Sequence, residues 1–340
     1  DGGGVRGLSS LLILENLMHR LSPEKDILPC NVFRLIGGTS TGGIIAIMLG
    51  RLGMSVKDCI TAYHSLSRDI FDGPWRPKAW QTSKKVLGLT GDAELRSRRL
   101  EEAICHIIAR YLPAEEKSAL FGEEEIDPCK TPICRVFVVA TQQSNGRRVI
   151  LRNYPIPYEA SRDMTIVEAC LATSAAPFVF APLTAGPEGC RETYIDGGLG
   201  NNNPVAIVLQ ESRLLWPRQS VKSLVSIGTG ARVPTEVKQN LMSLAKKVAE
   251  MIVDAANEAR DFESNIRLTE PSIHSVYFRL DVAESMARIG LAEWRMLGAI
   301  AQRTRSWIFE NHDLLNRCVV TLGGILLNCL CITLRYLSKC

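Results

Sequence analysis

The sequence contains no Cys-x-x-Cys pair, no cluster of histidines and acids at metal-ligand spacing, and little net charge. Its eleven cysteines are odd in number and irregularly spaced, which fits neither a disulfide framework nor a zinc site. Thiols of this kind are expected to be reduced and buried, which points to a cytoplasmic protein. Glu101-Glu102 and Glu123-Glu124-Glu125 read as solvated faces, so no metal and no other cofactor is implied. A formal charge of +4 is small for 340 residues. The basic clusters (Lys84-Lys85, Arg96 with Arg98-Arg99, Arg147-Arg148, Lys246-Lys247) are scattered among acids and read as surface, not as a nucleic-acid site. A weak preference for anionic membrane surfaces stays open. With 46% hydrophobic and 22% charged residues the chain is not disordered, and it can fill one large α/β domain with or without appendages. It begins at Asp1, inside what reads as a motif, and is therefore expected to be a fragment whose targeting signals are neither readable nor excluded.

What the sequence does have is one stretch around which the rest is organised, Val32 to Met48. Apolar, β-branched Val32 to Ile36 predict a buried strand, and Ile44 to Leu49 predict the start of a helix. Between them, Gly38-Thr39-Ser40-Thr41-Gly42 predicts a sharp turn with Ser40 at its tip. A serine held at a strained strand-to-helix turn needs neighbours without Cβ atoms where strand and helix pass close together. The following helix also aims unpaired N–H groups at any negative charge that develops beside it. Ser40 is thus a candidate nucleophile.

Asp1 to Gly7 is a glycine run leading into an amphipathic helix. Consecutive glycines let successive N–H groups converge on one anion. A phosphate cradle would end in Gly-Lys-Ser/Thr, and the lysine is missing; a dinucleotide fold would need Gly-x-Gly-x-x-Gly after a strand. An oxyanion hole serving Ser40, and a plain flexible loop, are the other readings. Farther on, Met54 to Arg110 is read as helical, broken at Gly73 to Pro77 by a loop that rims the site. Arg135 to Thr141 and Val149 to Tyr154 are read as a hairpin, and Thr165 to Ala176 as a helix ended by Pro177. Strands alternating with helices imply a largely parallel sheet covered on both faces. The helix from Glu236 to about Phe262 carries one apolar face and is read as core-covering.

The second informative segment is Tyr194-Ile195-Asp196-Gly197-Gly198, continuing to Asn201-Asn202-Asn203-Pro204. An aspartate at a strand end before two glycines is rigidly held yet reachable, as a catalytic carboxylate must be. Taken alone it could equally serve its own turn. The three asparagines are expected to tie down the loop. Residues 318 to 334 carry no charge, a run at the lower edge of transmembrane length; a buried terminal element or a foreign tail is the favoured reading.

In this order the motifs resemble those of the patatin-like phospholipases, the family of plant patatins and calcium-independent phospholipases A2. The glycine-rich oxyanion motif corresponds to Asp1 to Gly7, the Gly-x-Ser-x-Gly elbow to Gly38 to Gly42, and the Asp-Gly-Gly motif to Asp196, Gly197 and Gly198. Thr173 to Pro177, Asn202 to Pro204 and Ser226 to Gly230 are secondary matches. The resemblance spans about residues 1–315, leaving 316–340 as an apolar tail of uncertain status. It implies a three-layer α/β/α fold with a central, mostly parallel sheet, from which the strand that precedes the glycine motif in the family is missing. It implies a lipid acyl hydrolase acting on phospholipids or other acyl lipids through a Ser40–Asp196 dyad, with Gly2, Gly3, Gly4 and Arg6 around the oxyanion hole. A peripheral membrane contact and further domains of a longer chain are expected partners.

A carboxylate with a reference pKa near 4 is a weak base toward a hydroxyl, so positioning and the oxyanion hole must supply most of the acceleration. A dyad of this kind is expected to keep its activity as pH falls through about 6.5. A Ser-His-Asp esterase, with His274 or His312 as base, would not. A catalytically inactive lipid-binding module is the third reading, and the acyl substrate itself is not legible.

Overall fold

A computed structural model describes residues 1–72, 91–112, 121–122, 134–156, 164–230, 255–282, 286 and 289–323. The loop at Gly73 to Pro77, most of the helix predicted from Glu236, the acidic run at 123–125 and the tail from 324 lie outside the described residues.

The centre of the molecule is β2 (Arg135–Gln142), in which Val136, Phe137, Val138, Val139 and Ala140 are all fully buried. Side chains alternate between the two faces of a strand, and here both faces are covered. Val136, Val138 and Ala140 join the main core with α1 (Gly7–Leu21), α3 (Thr41–Ala46), α4 (Val56–Phe71), α5 (Gly91–Tyr111) and α6 (Ile166–Ser174). Phe137 and Val139 pack on the other face against Ile207 of α7 (Val205–Leu215). Helices on either side of one sheet make the three layers that an unbroken apolar strand requires.

The sheet itself is mixed. β1 (Leu35–Thr39) runs parallel to β2, whereas β3 (Arg148–Arg152) and β5 (Glu192–Asp196) are antiparallel to β2, and β4 (Leu183–Ala185) is antiparallel to β5. The expected mostly parallel sheet is corrected accordingly. Strand alternation with helices was the basis for it, but β2 reaches β3, and β4 reaches β5, through short turns, and a short turn reverses direction. β6 (Leu224–Ile227) and β7 (Tyr277–Leu280) form a separate parallel pair.

Strand register brings together the ends that matter. β1 and β5 both lie along the edge of β2 opposite β3, since residues 137–139 pair with β1 and β3, and 140–141 with β3 and β5. β1 runs up to Thr39, opposite Val139; β5 comes the other way and stops at Asp196, opposite Ala140. Their two C-terminal ends therefore meet head to head.

The predicted strand at Val32 begins later than expected, because Pro29–Val32 forms the short α2. Helix α6 starts at a reciprocal cap: Thr165 Oγ1 accepts from Glu168 N–H and the Glu168 carboxylate accepts from Thr165 N–H. After α8 (Ala255–Thr269), α9 (Pro271–His274) and β7 comes α10 (Leu297–Glu310), which packs on α1. A last helix over 312–323 puts Cys318 and Leu322 into the main core. Among the described residues no helix is long and apolar enough to cross a membrane.

Candidate active site

Ser40 follows β1 directly and has φ 55 and ψ −130. It is one of two non-glycine residues with positive φ among the described residues, a conformation that persists only where its surroundings enforce it. The enforcement is visible. Ser40 N–H donates to Thr173 Oγ1 (2.9 Å), and the Thr173 hydroxyl donates to the Val139 carbonyl (2.6 Å), so α6 and β2 together hold the turn. A Cβ on Gly38 would overlap the Gly42 carbonyl, and one on Gly42 would overlap the Asp1 carbonyl; strand, helix and N-terminal loop cross there with no room to spare.

Asp196 closes β5 with no solvent exposure. Ser40 Oγ donates to Asp196 Oδ2 at 2.6 Å, and Gly198 N–H donates to Asp196 Oδ1 at 2.7 Å. Strand register brings together these two residues, 156 positions apart in sequence. Burial pushes the Asp196 carboxyl up to about 7, against the smaller opposing effects of its bonds from Ser40 and Gly198. That differs from the solution value assumed from the sequence and changes what the carboxylate can do.

The glycine loop lies against the elbow. Gly3 and Gly4 line the same cleft as Ser40. Gly3 N–H donates to Thr41 Oγ1 (3.2 Å), Gly4 has φ 56, and its carbonyl accepts from the Tyr63 hydroxyl. Gly2 is turned elsewhere: its N–H donates to the Asn202 carbonyl (3.2 Å) and its carbonyl accepts from Thr229 Oγ1 (2.8 Å). Arg6 is fully buried outside the cleft lining, with Nε donating to the Gly3 carbonyl (3.4 Å) and Nη1 to the Gly230 carbonyl (3.3 Å). It is a staple between two loops. Asn201, Asn202 and Asn203 anchor their loop as expected. The Asn201 carbonyl accepts from Thr39 Oγ1 (2.8 Å), and Asn203 Oδ1 accepts from Val205 N–H (3.1 Å) at the start of α7.

Several supporting side chains escaped the sequence reading. Glu258 of α8 accepts from the N–H groups of Asn202 (3.2 Å) and Asn203 (2.5 Å). Arg279 of β7 donates to both carboxylate oxygens of Asp1 (3.1 and 2.6 Å) and to Asp281 (2.7 Å), which in turn accepts from Gly230 N–H (2.8 Å). Only Thr173 carried a local signal, its place in the Thr-Ser-Ala-Ala-Pro segment.

The cleft beside Ser40 is narrow and its walls are largely apolar, among them Ile70, Leu100, Val179 and Phe180. Among the described residues no histidine lines it. His274 faces Glu263 (3.8 Å) and His312 faces Asp313 (3.4 Å), both at the surface. Among the described residues no group of histidines, cysteines and acids could hold a metal. A separate groove beside α1 and α4 is lined by Leu12, Met18 and Lys57 and touches none of these residues.

The family model for patatin-like phospholipases matches residues 1–209. The chain belongs to the patatin-like phospholipase family. It is 29% identical over 289 residues to calcium-independent phospholipase A2-gamma of Rattus norvegicus, covering 83% of this chain and 34% of that protein. It is 32% identical over 217 residues to a cGAMP-activated phospholipase of Escherichia coli, covering 62% of this chain and 54% of that protein. It is 26% identical over 348 residues to phospholipase A I of Arabidopsis thaliana, covering 86% of this chain and 25% of that protein. The chain thus spans about a third of the length of the mammalian relative.

Proposed function

We propose that this chain is a lipid acyl hydrolase that cleaves carboxylic esters of phospholipids or related acyl lipids through a Ser40–Asp196 dyad. The observation that carries the reading is the 2.6 Å bond from Ser40 Oγ to a fully buried carboxylate at the wall of an apolar cleft. Ser40 Oγ attacks the ester carbonyl carbon as its proton passes to Asp196. The carbonyl electron pair moves to the oxygen beside the Gly3–Gly4 loop; in the scheme the Gly4 amide donates to it, and the Gly3 amide, bonded to Thr41 Oγ1 at 3.2 Å, exchanges that partner to do so, one such donor being typically worth about 3 kcal/mol. The tetrahedral intermediate collapses, the leaving alcohol takes the proton from Asp196, and an acyl ester remains on Ser40. Water then attacks that ester with Asp196 again accepting the proton, releasing the fatty acid and restoring Ser40.

Gly2 and Arg6 support this loop in the scheme and do not contact the oxyanion, because their polar groups are engaged with Asn202, Thr229, Gly3 and Gly230. Gly38, Gly42, Gly197 and Gly198 shape the two turns. A lipid substrate brings the protein to a membrane surface as a peripheral enzyme. The thiols of Cys30, Cys59, Cys105, Cys134, Cys170, Cys190 and Cys318 are free, which suits a cytoplasmic setting.

The test is fluorophosphonate labelling with mass analysis of the products from a mixed lipid panel. The wild type is expected to take one label at Ser40 and release fatty acid, and Ser40→Ala to do neither; an unlabelled, inactive wild type rejects the hydrolase. The pH criterion drawn from the sequence no longer separates the dyad from a histidine triad, because Asp196 itself titrates near 7. The discriminating result is an acid limb near 7 that is unchanged in His274→Ala and His312→Ala. Its disappearance in either variant rejects the dyad.

A further inference from the structure

We propose that Ser174 is a substrate-contacting residue of this cleft, its hydroxyl donating to an oxygen of the bound ester. The inference rests on the hydrolase reading above. Ser174 is the last residue of α6, and both of its neighbours are tied to the dyad: Thr173 Oγ1 accepts from Ser40 N–H (2.9 Å), and the Ala175 carbonyl accepts from Asp196 N–H (3.0 Å). Its backbone is therefore registered to both reacting groups at once. Its side chain is 2% exposed, it lines the cleft with Ser40, Gly3 and Gly4, and its Oγ has no hydrogen-bond partner among the described residues.

Three neighbouring hydroxyls in the cleft have partners. Ser40 donates to Asp196, Thr41 accepts from Gly3 N–H, and Tyr63 donates to the Gly4 carbonyl. A buried hydroxyl is normally satisfied, and one held at the cleft wall without a partner disfavours the unliganded fold. The Ser40 ester substrate supplies what is missing, since both oxygens of an ester accept hydrogen bonds and neither donates. Alanine at this position would fill the space without the deficit, so stability alone does not explain the hydroxyl.

Two measurements on the same variant test this. Ser174→Ala is expected to lower kcat/KM for a soluble short-chain ester and for phospholipid in mixed micelles by about tenfold, the scale of one substrate hydrogen bond. It is also expected to leave Tm unchanged or raise it by roughly 1–3 °C, because an unsatisfied buried group is removed. Ser174→Cys, with a weak S–H donor of similar size, is expected to fall between the two in kcat/KM. An active wild type with Ser174→Ala equal to it in kcat/KM overturns the proposal and spares the hydrolase. A clear drop in Tm also overturns it, because the hydroxyl would then be holding the fold. A wild type that neither labels at Ser40 nor turns over ester removes both readings together.

Discussion

Replacing Asp196 by asparagine isolates the energetic consequence of burying a carboxyl beside the elbow. The amide preserves both bonds: its oxygen accepts from Gly198 N–H and its NH2 faces Ser40 Oγ, where the carboxylate accepted at 2.6 Å. What disappears is the titration. The carboxyl moves from 3.8 in the unfolded chain to about 7 in the folded one, and at about 1.4 kcal/mol per unit that linkage is worth on the order of 4 kcal/mol. The folded state holds the proton more tightly. The stabilising contribution is therefore complete below about pH 4, declines as pH rises from there, and is gone above about 7, where the ionised carboxylate weighs against folding. Urea unfolding of wild type and Asp196→Asn from pH 4.5 to 8.5 is expected to show the variant gaining on the wild type by a few kcal/mol across that span. Hydrolysis reports the same group from the other side, with a wild-type acid limb near pH 7 and kcat reduced by about a thousandfold or more in the variant, as for loss of an essential base. A stability difference that stays flat with pH, or an acid limb at the ordinary carboxylate value near 4, would refute the claim that burial sets the basicity of Asp196.

Tyr63→Phe removes the hydroxyl that fixes the Gly4 carbonyl while keeping the ring in the cleft wall. The Gly4 peptide then loses a constraint, and labelling at Ser40 is expected to slow about tenfold with little change in KM; an unchanged labelling rate removes Tyr63 from the site. Away from the cleft, Arg152 Nε and Nη2 reach Glu211 at 2.6 and 2.8 Å, and Tyr154 donates to the same carboxylate at 2.8 Å, with Glu211 wholly buried. Arg152→Met strands that charge and is expected to cost about 3–5 kcal/mol in urea unfolding, most of which the Arg152→Met/Glu211→Met pair restores. A single-variant loss below about 1 kcal/mol would mean that the pair behaves as a surface contact.

What was legible in the sequence follows from how local each cause is. The elbow at Ser40 is a contiguous requirement, an apolar strand, glycines where backbones touch, and an apolar helix, so the consecutive residues from Val32 to Met48 carry nearly all of it. The helix from Thr165 and the hairpin around Gly146 were readable for the same reason. Strand direction was not. Whether β5 runs with or against β2 depends on β4 folding back onto it, which no periodicity records, and the meeting of Ser40 with Asp196 depends on that direction. Had β5 been parallel to β2, its C-terminal end would have pointed the same way as that of β1 instead of toward it. The long-range supports are hidden more deeply still: Arg279 reaches Asp1 across 278 residues, and Glu258 reaches Asn202 across 56.

The same distinction explains why the sequence misjudged the chemistry of a residue it located. A carboxylate's proton affinity is set less by its own turn than by what covers it, and Asp196 is covered by the sheet, α6 and the glycine turn that follows it. Its strand partner Ala140 and its backbone acceptor Ala175 offer no charge to stabilise ionisation. Two bonds favour the carboxylate, from Ser40 and Gly198, and both are outweighed by desolvation. Ser40's bond is the one that a reaction changes. In the proposed mechanism, when its proton moves, the Asp196–Ser40 pair trades a buried anion for a neutral acid, and the negative charge passes to the substrate oxygen beside Gly3 and Gly4. Under that proposal, desolvation that disfavours ionised Asp196 favours the proton transfer, which is how a carboxylate would serve as base without a histidine.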